Sequence, residues 1–184
     1  INSWARSVYR NASAIIAIAP TMANTLAERG ADTRKLHTLF NAGLPPVVNV
    51  AREESAPGEP VNVLYAGNIG VMQDLDVAID AIGPLGPQVA NLTLLGDGTE
   101  VEELKRHVRE CEYENIVFHP AVSGRELEQF YARADFAFVP LRDLPVFRGT
   151  IPSKFQAALA RGIPVLTSVA GDVTDIVTEH AVGY

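Results

Sequence analysis

The chain has 184 residues, 47% apolar and 20% charged, with 15 Lys plus Arg against 22 Asp plus Glu and a net charge of −7. This composition suits one good core, or one domain and part of another, and excludes intrinsic disorder. The acidic balance argues against a nucleic-acid partner and there is no polybasic run for an anionic membrane; the single cysteine, Cys111, excludes an intramolecular disulfide and suits a reducing compartment, and no apolar run approaches the roughly 20 residues of a membrane helix.

In chain order, short apolar runs alternate with amphipathic stretches. Ala14–Ala19 predicts a strand, Thr21 is placed to cap a helix running to about Arg29, and Gly30 is a left-handed stop. Leu36–Phe40 predicts a second strand. Both strands are expected to present open edges, available for pairing between copies. Residues 44–60 are rich in proline and charge and carry no period, so an interdomain linker is expected there.

Beyond the linker, strands are predicted at Val61–Ala66, Leu92–Leu95, Ile116–Phe118, Phe136–Val139 and Pro164–Thr167. Helical patterns separate them, the first near Gln73–Ile82. Thr99, Ser123 and Ser153 are each followed three positions on by Glu102, Glu126 and Gln156, the spacing of a capping box. Gly162 and Pro164 close the helix that Ser153 opens. Strands that are apolar throughout suit a parallel sheet buried on both faces. Strand–helix alternation suits a doubly wound α/β unit of Rossmann-like type. No internal repeat and no low-complexity tract interrupts the chain.

Ligands of open parallel sheets bind beyond the carboxyl ends of the strands, so the loops after each strand hold the candidate site. Gly67-Asn68-Ile69-Gly70 follows the first strand past the linker. Two glycines let the backbone approach a ligand, and a helix start beyond them favours an anion, although a plain tight turn has the same composition. The segment is not the dinucleotide fingerprint. Gly96 and Gly98 flank Asp97 after the next strand and lie under a ribose or base, or simply form a turn that Thr99 caps. His119-Pro120-Ala121-Val122 offers backbone groups to a nucleobase edge, while His119 itself reads as structural. The four histidines and Cys111 show no metal spacing. The stretch 140–154 holds Arg142, Arg148, Thr150, Ser153 and Lys154. A lysine in the first turn of a helix opposes the helix dipole, which makes sense where an anion sits beside it; a solvated lysine is the alternative.

Gly67-Asn-Ile-Gly70, Leu94-Leu-Gly-Asp-Gly98, Pro152-Ser-Lys154, Ala160-Arg-Gly-Ile-Pro-Val165 and Gly183, in that order, resemble the carboxyl-terminal half of GT-B glycosyltransferases of family 4. The likeness is greatest to the bacterial branch that builds capsule, exopolysaccharide or O-antigen. Ser13–Ala19 and Leu36–Gly43 resemble the end of the amino-terminal Rossmann-like domain. The resemblance implies residues 1–43 as the end of that domain, 44–60 as the interdomain linker and 61–184 as a nucleotide-sugar-binding domain truncated at its carboxyl end. The chain is accordingly expected to be a fragment of something larger. The resemblance further implies a retaining, metal-independent hexosyl transferase. It takes a nucleotide-diphosphate sugar as substrate, needs no cofactor, and serves a glycan or lipid-linked acceptor. A cytoplasmic location is expected, with peripheral association at the inner membrane face through regions outside this chain. Two departures stand out. A pair of glutamates common in the family falls on Gly149 and Ala157, and the Arg and Lys that hold the diphosphate are replaced near Gln73 and Asp74.

Breaking a sugar–diphosphate bond builds negative charge on the leaving phosphate, and without a metal it must be met by cations and N–H groups. Lys154 and Arg148 are the candidate catalytic residues. Gly67, Asn68, Gly70, Gly96, Gly98, Val122, Thr150 and Ser153 are the candidate donor-binding residues. A catalytically inactive nucleotide-sugar-binding homologue, acting as a binding or assembly subunit, is the alternative that Gly149 and Ala157 favour. An epimerase or phosphorylase of the same fold fits less well. So does a dinucleotide oxidoreductase, which needs G-x-G-x-x-G and an acidic residue about 20 positions later.

Overall fold

The computed structural model describes residues 3–43, 45–53 and 55–184. Its chain opens with helix α1 (Ser3–Asn11), strand β1 (Ile15–Ala17), helix α2 (Pro20–Glu28) and strand β2 (Leu36–Thr38). β1 and β2 pair in parallel, Ile15 beside Leu36 and Ala17 beside Thr38, so each of the two expected open strands covers one edge of the other. Gly30, at φ +91°, ends α2 in the left-handed conformation expected of it.

The larger body alternates β3 (Val61–Ala66), α3 (Asp76–Ile82), β4 (Ala90–Leu95), α4 (Val101–Glu110), β5 (Ile116–His119), α5 (Gly124–Ala132), β6 (Phe136–Val139), α6 (Ser153–Leu159), β7 (Val165–Thr167) and α7 (Asp172–His180). All five strands are parallel, in spatial order β5-β4-β3-β6-β7. This is the doubly wound Rossmann-like sheet that continuous apolar strands require, because both faces are buried. Along β3 and β6 the side chains alternate between the two cores. Val63, Tyr65 and Phe138 join Ile79 and Ile82 of α3 and Leu104 and Val108 of α4. Leu64, Ala137 and Val139 join Tyr131 of α5, Phe155 and Ala158 of α6, and Val173 and Val177 of α7.

The chain builds outward from β3 to β4 and β5, then returns to the other side of β3 for β6 and β7. The strand order therefore reverses between β3 and β6. In open parallel sheets, ligands bind beyond the strand ends where the order reverses.

Several local expectations are corrected. The helix expected from Gln73 begins at Asp76, because Val71–Gln73 forms a 3₁₀ turn and Asp74 adopts a left-handed conformation at φ +50°. None of the three expected capping boxes closes. Ser123 is the N-cap of α5 without a side-chain bond. Thr99 lies one residue before the N-cap and its hydroxyl reaches the Glu100 carboxylate. Pro152, not Ser153, is the N-cap of α6. Thr21 lies inside α2, whose N-cap is Ala19.

Residues 45–53 and 55–60 run along the large body rather than hanging free. Val47 N–H donates to Glu128 at 3.1 Å, Glu53 N–H to Ala132 at 2.8 Å, and Ser55 to Asp135 at 2.9 Å. Glu128 is 3% exposed and meets Arg161 in a bidentate pair at 2.6 and 2.7 Å, with the Arg161 guanidinium 4.5 Å above the Tyr131 ring. The hydrogen bonds from Arg161 hold the Glu128 carboxyl below its ordinary range. Leu44 and Glu54, which fall in the expected linker, lie outside the described residues.

Candidate functional site

The loop after β3 carries Gly67-Asn68-Ile69-Gly70, and the loop after β6 leads into α6 and Lys154. The two loops meet at the strand-order reversal. Lys154 Nζ donates to Tyr65 Oη at 2.8 Å and lies 4.1 Å from the centre of the Tyr65 ring. Gly67 lies directly against it: a Cβ there would sit 3.5 Å from both Cε and Nζ of Lys154. Tyr65 is fully buried, and its hydroxyl donates to the Asn68 carbonyl.

Among the described residues Lys154 has no ion-pair partner. The neighbouring carboxylates are engaged elsewhere. Asp97 accepts from Ala121 N–H at 3.3 Å, Asp74 from Arg142 at 2.9 Å, and Asp143 from Arg148 at 3.2 Å. Loss of hydration pulls the Lys154 pKa down to about 8, and burial pushes that of Tyr65 up. A half-buried cation without a counter-charge is a candidate for binding an anion.

Beside it, a cavity of about 360 Å³ opens over the carboxyl ends of β3, β4 and β5. Gly67, Asn68, Gly96, Asp97, Ala121 and Val122 line it. Four of the residues expected from the sequence thus share one wall, and Lys154 reaches the same loop.

Gly96 and Gly98 serve a purpose that sequence reasoning left open. A Cβ at Gly96 would fall 1.9 Å from the Gly67 carbonyl oxygen, and one at Gly98 would fall 1.9 Å from that of Ile69. These glycines let two loops touch each other, with Ile69 N–H bonded to Asp97 O at 2.8 Å. The Gly67–Gly70 loop is closed from within by Gln73, whose Oε1 accepts from Asn68 Nδ2 and Gly70 N–H, both at 3.2 Å. Gln73 and Asp74 therefore both hold loops in place.

Arg148, Thr150 and Ser153 are not drawn to the Gly67 loop by any hydrogen bond among the described residues. The Arg148 guanidinium lies against Asp143 of its own loop, Thr150 Oγ1 donates to Val146 O at 3.5 Å, and Ser153 is exposed. The backbone of this stretch is nonetheless fixed. Gly171, at φ +90°, leaves no room for a side chain against Arg148 O, which accepts from Asp172 N–H at 3.0 Å. Gly149 packs on α2, where a Cβ would stand 2.8 Å from Met22 N. Asp172, 5% exposed, accepts from both Thr21 N–H at 2.9 Å and Thr21 Oγ1 at 2.8 Å. The first turn of α2 is thus tied to the start of α7 and to the loop after β6.

Sequence reasoning passed over Tyr65 and Asp172, and named Asp97 and Arg142 only as members of their loops. Tyr65 has the usual look of a strand aromatic; a residue adjoining the glycine loop was the available clue. Among the described residues no group of three His, Cys, Asp or Glu side chains is placed to hold a metal ion. No helix among them is long and apolar enough to cross a membrane.

A five-stranded parallel sheet flanked by helices, with its strand order reversing at β3, defines the Rossmann-like α/β class. The family model described as glycosyl transferases group 1 matches residues 49–184, and the chain belongs to that family, whose fold is GT-B. The D-inositol 3-phosphate glycosyltransferase of Xylanimonas cellulosilytica is 28% identical over 84% of this chain and 40% of its own length. The probable glycosyltransferase WbjE of Pseudomonas aeruginosa is 24% identical over 96% of this chain and 46% of its own. The chain spans less than half the length of these two relatives. Among solved structures, the apo lipopolysaccharide outer core galactosyltransferase WaaB superposes with a TM-score of 0.71 at 18% identity, covering 87% of this chain and 44% of that one. Anabaena Alr3699/HepE in complex with UDP superposes with a TM-score of 0.69 at 20% identity, covering 96% and 50%. The structural likeness is one of fold.

Proposed function

We propose that this chain is the donor-binding half of a family 4 glycosyltransferase, which moves a sugar from a nucleotide-diphosphate sugar to a glycan or lipid-linked acceptor. The observation that carries the reading is Lys154: half-buried, without a carboxylate partner, and held over the Gly67 loop at the strand-order reversal. The cavity beside it takes the nucleoside, and Asn68, Gly96 and Val122 line that space. UDP in the HepE structures supports placing a uridine nucleotide first among the candidates.

In the reaction the bond between the anomeric carbon and the β-phosphate oxygen breaks, and the acceptor oxygen takes its place on the same face of the sugar. The acceptor proton passes to the departing phosphate. Negative charge builds on that phosphate as the bond lengthens. The Lys154 ammonium and the N–H groups of the Gly67–Gly70 loop meet it, with no metal or cofactor required. A donor aimed at developing charge is worth about 2.7–4 kcal/mol. Arg148 joins this role if it leaves Asp143, an exposed pair that costs little to break. The whole enzyme works in the cytoplasm, peripheral to the membrane face where a lipid-linked acceptor is presented.

Calorimetric titration of the chain with UDP, GDP, dTDP and ADP tests the reading. One nucleotide is expected to bind in the micromolar range and to be weakened by Lys154→Ala. Equal binding to parent and variant would remove Lys154 from the site. Nucleotide-sugar binding without transfer by the complete protein would replace the transferase with a binding subunit.

A further inference from the structure

Tyr65 contributes no atom to the cavity wall, yet it touches both halves of the candidate site. Its hydroxyl accepts from Lys154 of α6, 89 residues away in the chain, and donates to Asn68 O in the glycine loop. An ammonium has three protons to place. The phenol takes one of them, the ring lies under the charge at 4.1 Å, and the other two have no carboxylate to meet among the described residues. Tyr65 itself cannot move. It is fully buried between Ile69, Ile79 and Leu94.

We propose that Tyr65 is the positioning residue of the diphosphate site, its buried phenol tying Lys154 to the Asn68 carbonyl so that the lysine's free protons face a donor phosphate over Gly67. The inference rests on the transferase reading for the identity of the anion, but the tie between Tyr65 and Lys154 stands independently of it. The arrangement solves a specific problem. A lysine stem is flexible and loses much rotamer freedom when ordered. A fixed acceptor orders it before the ligand arrives, which lowers the cost of binding. A phenol does this without cancelling the charge, as a carboxylate would. The bond to Asn68 O also fixes the proton direction on Oη, so a lone pair of that oxygen is turned to Lys154. The charged and titratable groups on the surrounding loops are Asp74 with Arg142, Asp143 with Arg148, and Asp97 with Ala121 N–H, each already engaged.

Tyr65→Phe removes the hydroxyl and keeps the ring, so it tests the tie with little change in packing. Two readouts separate the inference from the reading beneath it. The first needs no ligand: pH-dependent reductive methylation with formaldehyde and cyanoborohydride, read by mass spectrometry at Lys154. In the parent, reactivity is expected to rise through about pH 8. In Tyr65→Phe the rise is expected about one pH unit lower, since a hydrogen bond to the charged form is lost. The second is calorimetric titration with UDP and with inorganic pyrophosphate at pH 7. Affinity is expected to fall about tenfold in Tyr65→Phe and further in Lys154→Ala. An unchanged methylation profile would overturn the positioning role even if UDP binds. A shifted profile with no binding of either probe to the parent would uphold the tie and overturn the donor-site reading. Circular dichroism of Tyr65→Phe, expected to match the parent, guards against a folding defect; should it differ, the parent alone decides, since a Lys154 that is methylated only near the ordinary lysine value of 10.5 would be solvated rather than held against Tyr65, and the tie would be overturned.

Discussion

At the scale of single residues, the proposed site turns on one lysine. Lys154 is charged at neutral pH but poorly hydrated, and its pKa falls to about 8 for that reason. Two opposite pH trends follow. Below pH 8 the ammonium is present and ready for a phosphate, so nucleotide affinity is expected to weaken as pH rises through 8. Folding stability moves the other way. Between about pH 8 and the ordinary lysine value of 10.5, the unfolded chain holds the proton and the folded one does not, so stability gains with pH. Lys154→Met is therefore expected to melt higher than the parent at pH 7, with the gap closing as pH approaches 10; melts at several pH values check this, and a gap that widens would contradict it. In a complete enzyme, Lys154→Ala is expected to lower kcat by about 10² to 10³. Lys154 was singled out in the sequence, because a cation in a helix's first turn is out of place. The partner was not. Tyr65 and Lys154 meet only because β3 and β6 are neighbours in the sheet, which no local pattern records.

At the scale of elements, loops are fitted to one another by missing side chains. Gly98→Ala pushes a methyl into the Ile69 carbonyl. Overpacking of that kind costs about 1–3 kcal/mol, and a thermal melt is expected to fall by several degrees with nucleotide affinity lost as the Gly67 loop shifts. The spacing of glycines marked these loops, with a ligand or a plain turn left open as its reason; the structure adds a close contact between the loops that no local pattern records. The helix starts were misread for a related reason. Ser or Thr followed by Glu or Gln records the ability to cap, and at Ser153 the preceding proline takes the cap position with extended backbone. Glu128 and Arg161 act at this scale too, joining α5 to the end of α6 and holding Val47. Glu128→Ala leaves a half-buried guanidinium without its partner and is expected to cost about 3–5 kcal/mol in urea unfolding at pH 7. Because the Glu128 carboxyl is held below its ordinary range, that stabilisation is present at neutral pH and lost as pH falls through the lowered value. The difference between parent and variant should therefore shrink in acid.

At the scale of the whole molecule, the two sheets are joined through Asp172. Its carboxylate serves two donors of Thr21, and Gly149 makes room for α2 beside it. Asp172→Ala is expected to speed limited proteolysis around residues 12–43 while the large sheet keeps its circular dichroism; equal cleavage rates would show that other contacts hold the small sheet in place. The same contact gives position 149 a steric reason to be glycine. The sequence by itself determined the α/β class, the five parallel strands and the position of every loop that lines the cavity, because apolar periodicity and glycine placement are local properties of the chain. The order of those strands, the meeting of the loops after β3 and β6, the tie from Lys154 through Tyr65 to Asn68 and the clamp at Asp172 were decided by tertiary structure alone. Each depends on groups far apart in the chain arriving within hydrogen-bond distance, and that is settled by how both faces of one sheet are buried at once.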